Sequence, residues 1–409
     1  MRCRHCNSEL SLPLIDLGSA PPSNAYLTTA SLHAPEKWFP LRVLVCRECW
    51  LAQTEDMTGV EELFDAEYAY FSSYSTTWLQ HAERYVADMQ ARFSLNETSH
   101  VVEIAANDGY LLQFVMARNI PCTGVEPTAS TATVARAKGI SIVEDFFGTR
   151  LAKELVSEGK QADLATANNV LAHVPDINDF VAGVALLLKP HGVATFEFPH
   201  LMRLVDENQF DTIYHEHYSY LSLTAVQRIF AANGLTVFDV GKLPTHGGSL
   251  RVFSQRSDTG QEPCSHEVSA LLQLEAQTGM LSAGYYAGFQ ANADKLKNEF
   301  HAFLLEAWGH GKTVAAYGAA AKGNTLLNYA GIRSDLISFI VDRNPAKQGK
   351  YMPGSRIPIV AEERLREKRP DYIVILPWNI KAEIMTQLTY IKAWGGKCVT
   401  AVPELWVEP

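Results

Sequence analysis

The chain has 409 residues, with 35 Lys and Arg against 45 Asp and Glu, a formal charge of −10, 47% hydrophobic residues and seven cysteines. At roughly 150 residues per domain this length predicts two or three domains with ample core, and the acidic balance argues against a nucleic-acid or anionic-membrane binder, because phosphate backbones are held mainly by Lys and Arg. With no apolar run near the roughly 20 residues of a membrane span and no signal-type segment after Met1, a soluble, cytoplasmic protein is expected, its thiols serving as metal ligands or core groups rather than disulfides.

The cysteines are unevenly spread. Cys3 and Cys6 form one C-x-x-C, Cys46 and Cys49 a second, and Cys122, Cys264 and Cys398 stand alone. Two such knuckles supply four thiolates, enough to close a tetrahedral, structural Zn²⁺ site. His5, inside the first knuckle, is an alternative ligand. Leu17 to Asn24, between the knuckles, reads as an irregular, turn-rich segment. The module is too short to bury much core alone and needs its metal as a staple.

From about residue 98 strands and helices alternate. Strand Val101–Ala105 leads through the turn Asn107-Asp108-Gly109 to helix Tyr110–Arg118, and a strand ending in Gly124-Val125-Glu126 follows. Next come helix Ala129–Lys138, strand Ile140–Glu144, helix Arg150–Ser157, strand Asp163–Ala167, helix Ile177–Leu188 and strand Val193–Phe198. Helix Leu223–Ala232 and strands over Leu235–Val240 and Ser249–Ser254 close the unit. This order predicts a mainly parallel sheet with helices on both faces, and ligands at the carboxyl ends of its strands. The candidates there are Glu103, Ala105, Asn107 and Gly109 at the first strand, Glu126 and Pro127 at the second, Asp145 and Phe146 at the third, and Asn168 and Asn169 at the fourth. An acid at Glu126 suits ribose hydroxyls, and a carboxylate with a ring at 145–146 suits adenine. The loop Ala105-Ala106-Asn107-Asp108-Gly109 lacks the glycine spacing of a dinucleotide fingerprint. That favours S-adenosylmethionine (SAM), which has no pyrophosphate, over NAD.

Gln209 to Tyr220 is the chemically densest stretch, with Asp211, Tyr214, His215, Glu216, His217, Tyr218 and Tyr220 close together. An acid–base site, a metal site through His215 and His217, a buried polar cluster and a solvated loop all fit its composition. Thr245-His246-Gly247-Gly248-Ser249-Leu250-Arg251 reads either as a loop that approaches a ligand, with Arg251 as an anion contact, or as a plain turn. Residues 263–309 are strongly helical, broken only at Gly279 and Gly284. A second α/β unit follows: strand Thr313–Tyr317, the loop Gly318 to Asn324, a helix to Tyr329, strand Ile337–Val341 ending at Asp342, and strand Tyr372–Leu376 leading through Pro377-Trp378-Asn379 to a helix. It is either a scaffold or a seat for a nucleotide diphosphate, with Lys322 and the helix amino end toward phosphate.

These strings together resemble the SAM-dependent C-methyltransferases that act on nucleotide-linked deoxyketosugars. The likeness covers nearly the whole chain: the two knuckles, Glu103 to Gly109, Gly124-Val125-Glu126-Pro127, Asn169 to Val174, Tyr214 to Tyr220, Thr245 to Arg251 and Gly318 to Asn324. It implies a zinc-binding module over residues 1–64, a class I SAM domain over 65–256 and a Rossmann-like, sugar-nucleotide-binding domain over 257–409. It also implies methylation at C3 of a nucleotide-diphosphate 4-keto-deoxysugar through an enolate; O- or N-methyl transfer and a nicotinamide-dependent sugar oxidoreductase are the alternatives. The resemblance makes His217 the base, with Tyr214 and Glu216 holding the imidazole or the enolate and His173 as the alternative base. It places Tyr68, Tyr70, His246, Arg251, Lys322, Asn324 and Asp342 on the substrate. The chain departs from the family at Ala105-Ala106, where a Gly is common, and at Tyr218, where a Leu is common.

Overall fold

The computed structural model describes residues 1–55 and 71–409, so Tyr68 and Tyr70 lie outside the described residues. Strand Leu12–Ala20 pairs antiparallel with Phe39–Val45, and that strand with Ala52–Thr54. The stretch expected to be irregular from Leu17 is therefore strand as far as Ala20. What the turn-rich composition marks is a bulge between Asp16 and Ser19, where Gly18 takes φ 73° and donates its N–H to Asp16 Oδ1 at 2.8 Å. The fourth strand of this sheet comes from far down the chain: Ser219–Tyr220 pairs with Ala52–Thr54. The sheet has little core of its own. Its Leu12, Leu14 and Leu17 share one apolar cluster with Phe300, Leu304, Val314 and Leu326 of the C-terminal region.

The central sheet runs Leu235–Leu243, Ser249–Arg256, Leu188–Pro199, Ala162–Asn168, Val101–Ile104, Cys122–Val125, Ile142–Val143. All strands are parallel except Ser249–Arg256, which is antiparallel to both neighbours. This is the class I methyltransferase order, with the first strand central and a reversed strand next to the far edge. Its inner strands are buried on both faces, as a two-sided parallel sheet requires. The helix Thr76–Phe93 covers one face and had no counterpart in the sequence reading. Its signal was present: Ser75 caps it by accepting from Trp78 N, and Ala82, Tyr85, Val86 and Met89 recur at helical spacing and are buried.

The helical region resolves into His266–Thr278, Ala283–Tyr286 and Phe289–Gly309, with the first break at Gly279 (φ 94°). The first of these helices packs on the central domain through Val268 and Leu271, and the last on the N- and C-terminal sheets through Phe300 and Leu304. The C-terminal sheet runs Ile359–Val360, Ile340–Val341, Val314–Tyr317, Tyr372–Ile375, Lys397–Thr400 in parallel, and Trp406–Val407 is added antiparallel at the edge. Among the described residues no helix is long and apolar enough to cross a membrane.

The loop after the first central strand carries three left-handed residues: Ala105 (φ 57°), Asn107 (φ 49°) and Gly109 (φ 76°). Gly109 has no room for a side chain, since a Cβ there would lie 2.3 Å from Ile140 Cδ1. Ala105 adopts a conformation that only glycine takes without strain, which accounts physically for the family's Gly in this dipeptide. Two substitutions of opposite sign follow, both read as thermal midpoints: Gly109→Ala should destabilise the protein by about 1–2 kcal/mol, and Ala105→Gly should stabilise it by up to about 1 kcal/mol.

Candidate active site

The segment from Gln209 to Tyr220 crosses the carboxyl ends of the central strands and is gripped from three sides. Gln209 Nε2 donates to Gly247 O at 2.8 Å, Thr325 Oγ1 of the C-terminal domain donates to Ile213 O at 2.7 Å, and Thr54 Oγ1 of the N-terminal sheet donates to His217 O at 3.1 Å. The imidazole of His217 is held as firmly. Its Nδ1 lies 2.9 Å from Thr212 O, which can only accept, so Nδ1 carries the proton and Nε2 accepts from the Tyr214 hydroxyl at 2.8 Å. His173 packs edge-on against His217 with ring centroids 4.6 Å apart, and its own Nδ1 donates to Glu216 O at 2.8 Å. Burial, helped by repulsion from the Lys322 ammonium and by competition with His173 and His246 for a proton, holds His217 well below the usual imidazole range; burial also brings His173 down to about 4. Both rings are therefore neutral at physiological pH.

The other members of the motif face elsewhere. His215 Nε2 points at Phe39 O (3.3 Å) and Pro40 O (3.2 Å) in the N-terminal sheet, so His215 and His217 do not form a metal pair. The carboxylate of Glu216 is turned onto Asn24, accepting from its N and Nδ2 at 3.3 and 3.2 Å; the residue serves the imidazoles through its backbone carbonyl. His246 is left-handed (φ 54°) and its Nε2 lies 3.3 Å from Asn169 Nδ2; burial and then Lys322 lower its pKa to about 4. Trp78 stands against His246 at 5.1 Å and stacks on His81 at 4.8 Å.

Three residues expected on the substrate have protein partners. Arg251 pairs with buried Glu197 at 2.6 Å, beneath a second bond from His81 at 2.8 Å, and its guanidinium lies 4.8 Å over Tyr85. Burial drives the Glu197 carboxyl upward, but the His81 and Arg251 bonds outweigh it and hold the group ionised. Asp342 accepts from Ala319 N and Asn344 N, each at 2.8 Å, and so shapes the two loops of the C-terminal sheet. Asn324 is fully buried and accepts from Asn328 Nδ2 at 3.1 Å. Lys322 instead stands at the site, where its Nζ donates to Asn379 Oδ1 at 2.7 Å. Trp378, absent from the sequence candidates, joins it, its Nε1 donating to Asp211 Oδ2 at 2.8 Å. Trp378 follows the carboxyl end of a parallel strand, the position at which such sheets build sites.

Also at the carboxyl ends of the central strands, Glu103 is buried with one oxygen, Oε2, unpartnered among the described residues, and burial pushes its carboxyl well above the usual range. Glu126 accepts from Asn107 N at 2.8 Å and Thr128 N at 2.9 Å across half-buried Pro127. Asn107 Oδ1 and Asp108 Oδ2 accept from Ser72 N and Ser73 N, so this loop also anchors the chain at 72–73. Asp145 is paired with Arg150 at 2.5 Å, the ring of Phe146 is 46% exposed, and Asn168 is buried and accepts from Thr166 Oγ1 at 3.3 Å. An orphaned acceptor, a half-exposed ring and left-handed loop residues form a cradle suited to an amino acid joined to an adenosine.

The four Sγ atoms of Cys3, Cys6, Cys46 and Cys49 lie within 4.8 Å of one another, with Cys3–Cys49 and Cys6–Cys46 at 3.5 Å. A tetrahedral Zn²⁺ with bonds near 2.3 Å needs edges of about 3.8 Å, so the donor set fits. His5 faces Asn178 at 2.8 Å and is not part of the cluster. Gln53 Nε2 donates to Cys3 Sγ at 3.3 Å, an outer contact from the strand that pairs with Ser219–Tyr220.

Three family models match successive stretches of the chain. Residues 3–64 match a family model described as "Putative zinc binding domain", residues 78–240 one described as "Methyltransferase domain", and residues 244–403 one described as "C-methyltransferase C-terminal domain". The chain is 33% identical over 402 residues to the C-methyltransferase NovU of Streptomyces niveus, covering 98% of this chain and 95% of that one. The chain belongs to the C-methyltransferase family. It is also similar to magnesium protoporphyrin IX methyltransferase from Synechocystis PCC 6803 with bound SAM (16% identity, 44% of this chain and 79% of that chain, TM-score 0.34). The PH0226 protein of Pyrococcus horikoshii OT3 is a further neighbour (15% identity, 46% of this chain and 95% of that chain, TM-score 0.39).

This C-methyltransferase is thus a SAM-dependent enzyme with a zinc-binding domain whose four cysteines form the cluster that fits the metal. The zinc closes the knuckle that launches strand Ala52–Thr54, and that strand holds His217. Cys46→Ser should therefore lose its zinc by atomic emission, melt at lower temperature and lose methyl transfer, while SAM affinity by calorimetry stays within about threefold of wild type.

Proposed function

We propose that this C-methyltransferase adds its methyl to C3 of a nucleotide-linked 4-keto-deoxysugar, through an enolate generated by His217. The reading is supported above all by one observation: a buried, neutral imidazole fixed by Thr212 O, with its basic nitrogen turned to the Tyr214 hydroxyl. Carbon is a nucleophile only after losing a proton, so C-methylation requires a base, and a ketone next door makes that proton removable. The C3 proton goes to His217 Nε2, the C–H pair becomes the C3–C4 double bond, and the C4 oxygen takes the charge. Tyr214 occupies Nε2 in the free protein and yields it to the substrate, while the Thr212 carbonyl keeps the ring in the tautomer whose Nε2 is basic. His173 braces the ring face, and burial of the cluster excludes the water that would quench the enolate. Bound SAM supplies an electrophilic methyl on a cationic sulfur, which needs no further activation.

Substrate deuterated at C3 tests the reading. The label should pass to solvent once per methyl gained; retention of deuterium in a methylated product would identify O- or N-methylation instead. His217→Ala should lower kcat by roughly 10²–10⁴ with SAM binding intact, and Tyr214→Phe by less, because the base remains. The pH dependence is also set. An imidazole held well below 6.5 keeps its base form as pH falls through 6.5, so kcat/KM should stay level there and drop only in more acid solution.

A further inference from the structure

Three segments converge on one indole. Trp378 Nε1 is bonded to Asp211, the residue before Thr212, whose carbonyl anchors the base. The far edge of the ring abuts Gly247, the residue after His246, so closely that a Cβ there would lie 2.6 Å from Trp378 Cη2. Over the ring face sits the Lys322 ammonium, 4.6 Å from the centroid, brought in by the first turn of helix Ala321–Tyr329 and steadied by Asn379 Oδ1 at 2.7 Å. The tryptophan therefore fixes a cation at the junction between the His217 segment and the His246 loop.

That cation has no contact counter-ion. Among the described residues no carboxylate lies within ion-pair distance of Lys322 Nζ, and Asp211, the acid that faces it through the indole, keeps Oδ1 unpartnered. Burial, opposed by Asp211, pulls Lys322 down to about 8, and burial raises Asp211 to about 6; the lysine charge in turn acts on both His217 and His246. A part-buried ammonium with spare N–H groups and only a neutral amide partner favours an anionic oxygen beside it. The substrate offers two such oxygens, the diphosphate and the enolate. The C4 oxygen is two bonds from C3, the carbon that must meet His217. The diphosphate hangs on C1, across the sugar ring. A cation at the junction of the His217 segment and the His246 loop is therefore placed for the C4 oxygen.

We infer that Lys322 is a catalytic residue whose ammonium hydrogen-bonds the C4 oxygen and stabilises the enolate that His217 forms, rather than a ligand of the nucleotide diphosphate. The inference rests on the enolate reading above. The step is balanced without any other reactant. The C3–H bond breaks and its proton moves to His217 Nε2; its electron pair forms C3=C4 while the carbonyl π pair settles on oxygen against Lys322 N–H. When SAM supplies the methyl, the C3=C4 pair would form the C3–CH₃ bond, the S–CH₃ pair would stay on the departing sulfur of S-adenosylhomocysteine, and the oxygen pair would return to restore the carbonyl.

The test uses the full-length enzyme with zinc and S-adenosylhomocysteine in place of SAM, and follows C3 deuterium exchange on the 4-keto-deoxysugar nucleotide that the wild type methylates. At saturating substrate, Lys322→Met should slow exchange by about 10²–10³-fold. The affinities of dTDP, GDP and CDP alone should stay within about threefold of wild type. Wild-type kcat/KM should fall as pH rises through about 8, where the lysine charge is lost, and Lys322→Arg, charged throughout, should show no such fall whatever its absolute rate. A loss of about tenfold or more in diphosphate affinity with exchange unchanged would overturn the inference and make Lys322 a phosphate ligand. If Lys322→Met does not fold, an alkaline limb that persists in Lys322→Arg overturns it equally. Methyl transfer by wild type with no C3 exchange defeats the enolate reading itself, and is recognised without either variant.

Discussion

The pairing of Ala52–Thr54 with Ser219–Tyr220 is the contact on which the rest of the site depends. A two-residue strand is worth little alone, and its stability comes from what lies on each side. On one side the strand continues from the Cys46–Cys49 knuckle, and Gln53 reaches back to a cysteine sulfur. On the other side the same backbone supplies His217 and its carbonyl, held by Thr54. The zinc is closed by four thiolates and has no open position for chemistry, yet it stands three residues from the strand that holds the base. Its function is mechanical, in that it keeps a short module rigid enough to serve as a template edge for the catalytic segment.

The same segment explains why the parts of the chain fold as one body. Residues 209–220 belong to the central domain by sequence, complete the N-terminal sheet by hydrogen bonding, and dock on the C-terminal helix through Thr325 and on Trp378 through Asp211. The apolar cores cross the same boundaries, since the inner face of the N-terminal sheet is covered by residues of the C-terminal region. Electrostatics then follows from burial. With two imidazoles neutral and Glu197 bonded to Arg251 and His81, Lys322 and, across the indole, Asp211 carry the charges that the site retains. A formal charge of −10 over the whole chain does not contradict that, because a desolvated ammonium acts over ångströms and the surface carboxylates are screened.

Much of this was legible in the residues, and the failures share a cause. The cysteine knuckles and the alternation of strands and helices are local patterns, and so are the strand ends that carry Glu103, Glu126 and Asn168. Side-chain partners chosen over long distances in sequence are not. Arg251 looks like an anion contact until the fold sets Glu197 beside it, and Glu216 looks like a partner of His217 until Asn24 claims its carboxylate. Trp378 and Asp211 meet across 167 residues and carry no pairing signal in either segment. The short strands were misjudged for a related reason. Ile142–Val143 and Ile340–Val341 are only two residues long because pairing, and not propensity, sets their length.

Backbone strain marks the site independently of any motif. Left-handed non-glycine residues are costly, and they persist where surrounding contacts fix them. Ala105 and Asn107 turn the cofactor loop, Asn169 leaves the fourth central strand, and His246 faces Asn169 across the cleft. Two more, Asn7 and Trp50, each follow the second cysteine of a knuckle and turn the chain back so that both thiolates face one point. Six of the eleven such residues among those described thus stand at the knuckles and around the cleft, where a straighter backbone would carry the ligands and the imidazoles past one another. An asparagine or glycine at such positions relieves the torsion, but His246 has no such excuse. Its ring must be delivered to Asn169 and Trp78, and the contacts of Gly247 with Trp378 and Gln209 hold the loop in the shape that delivers it.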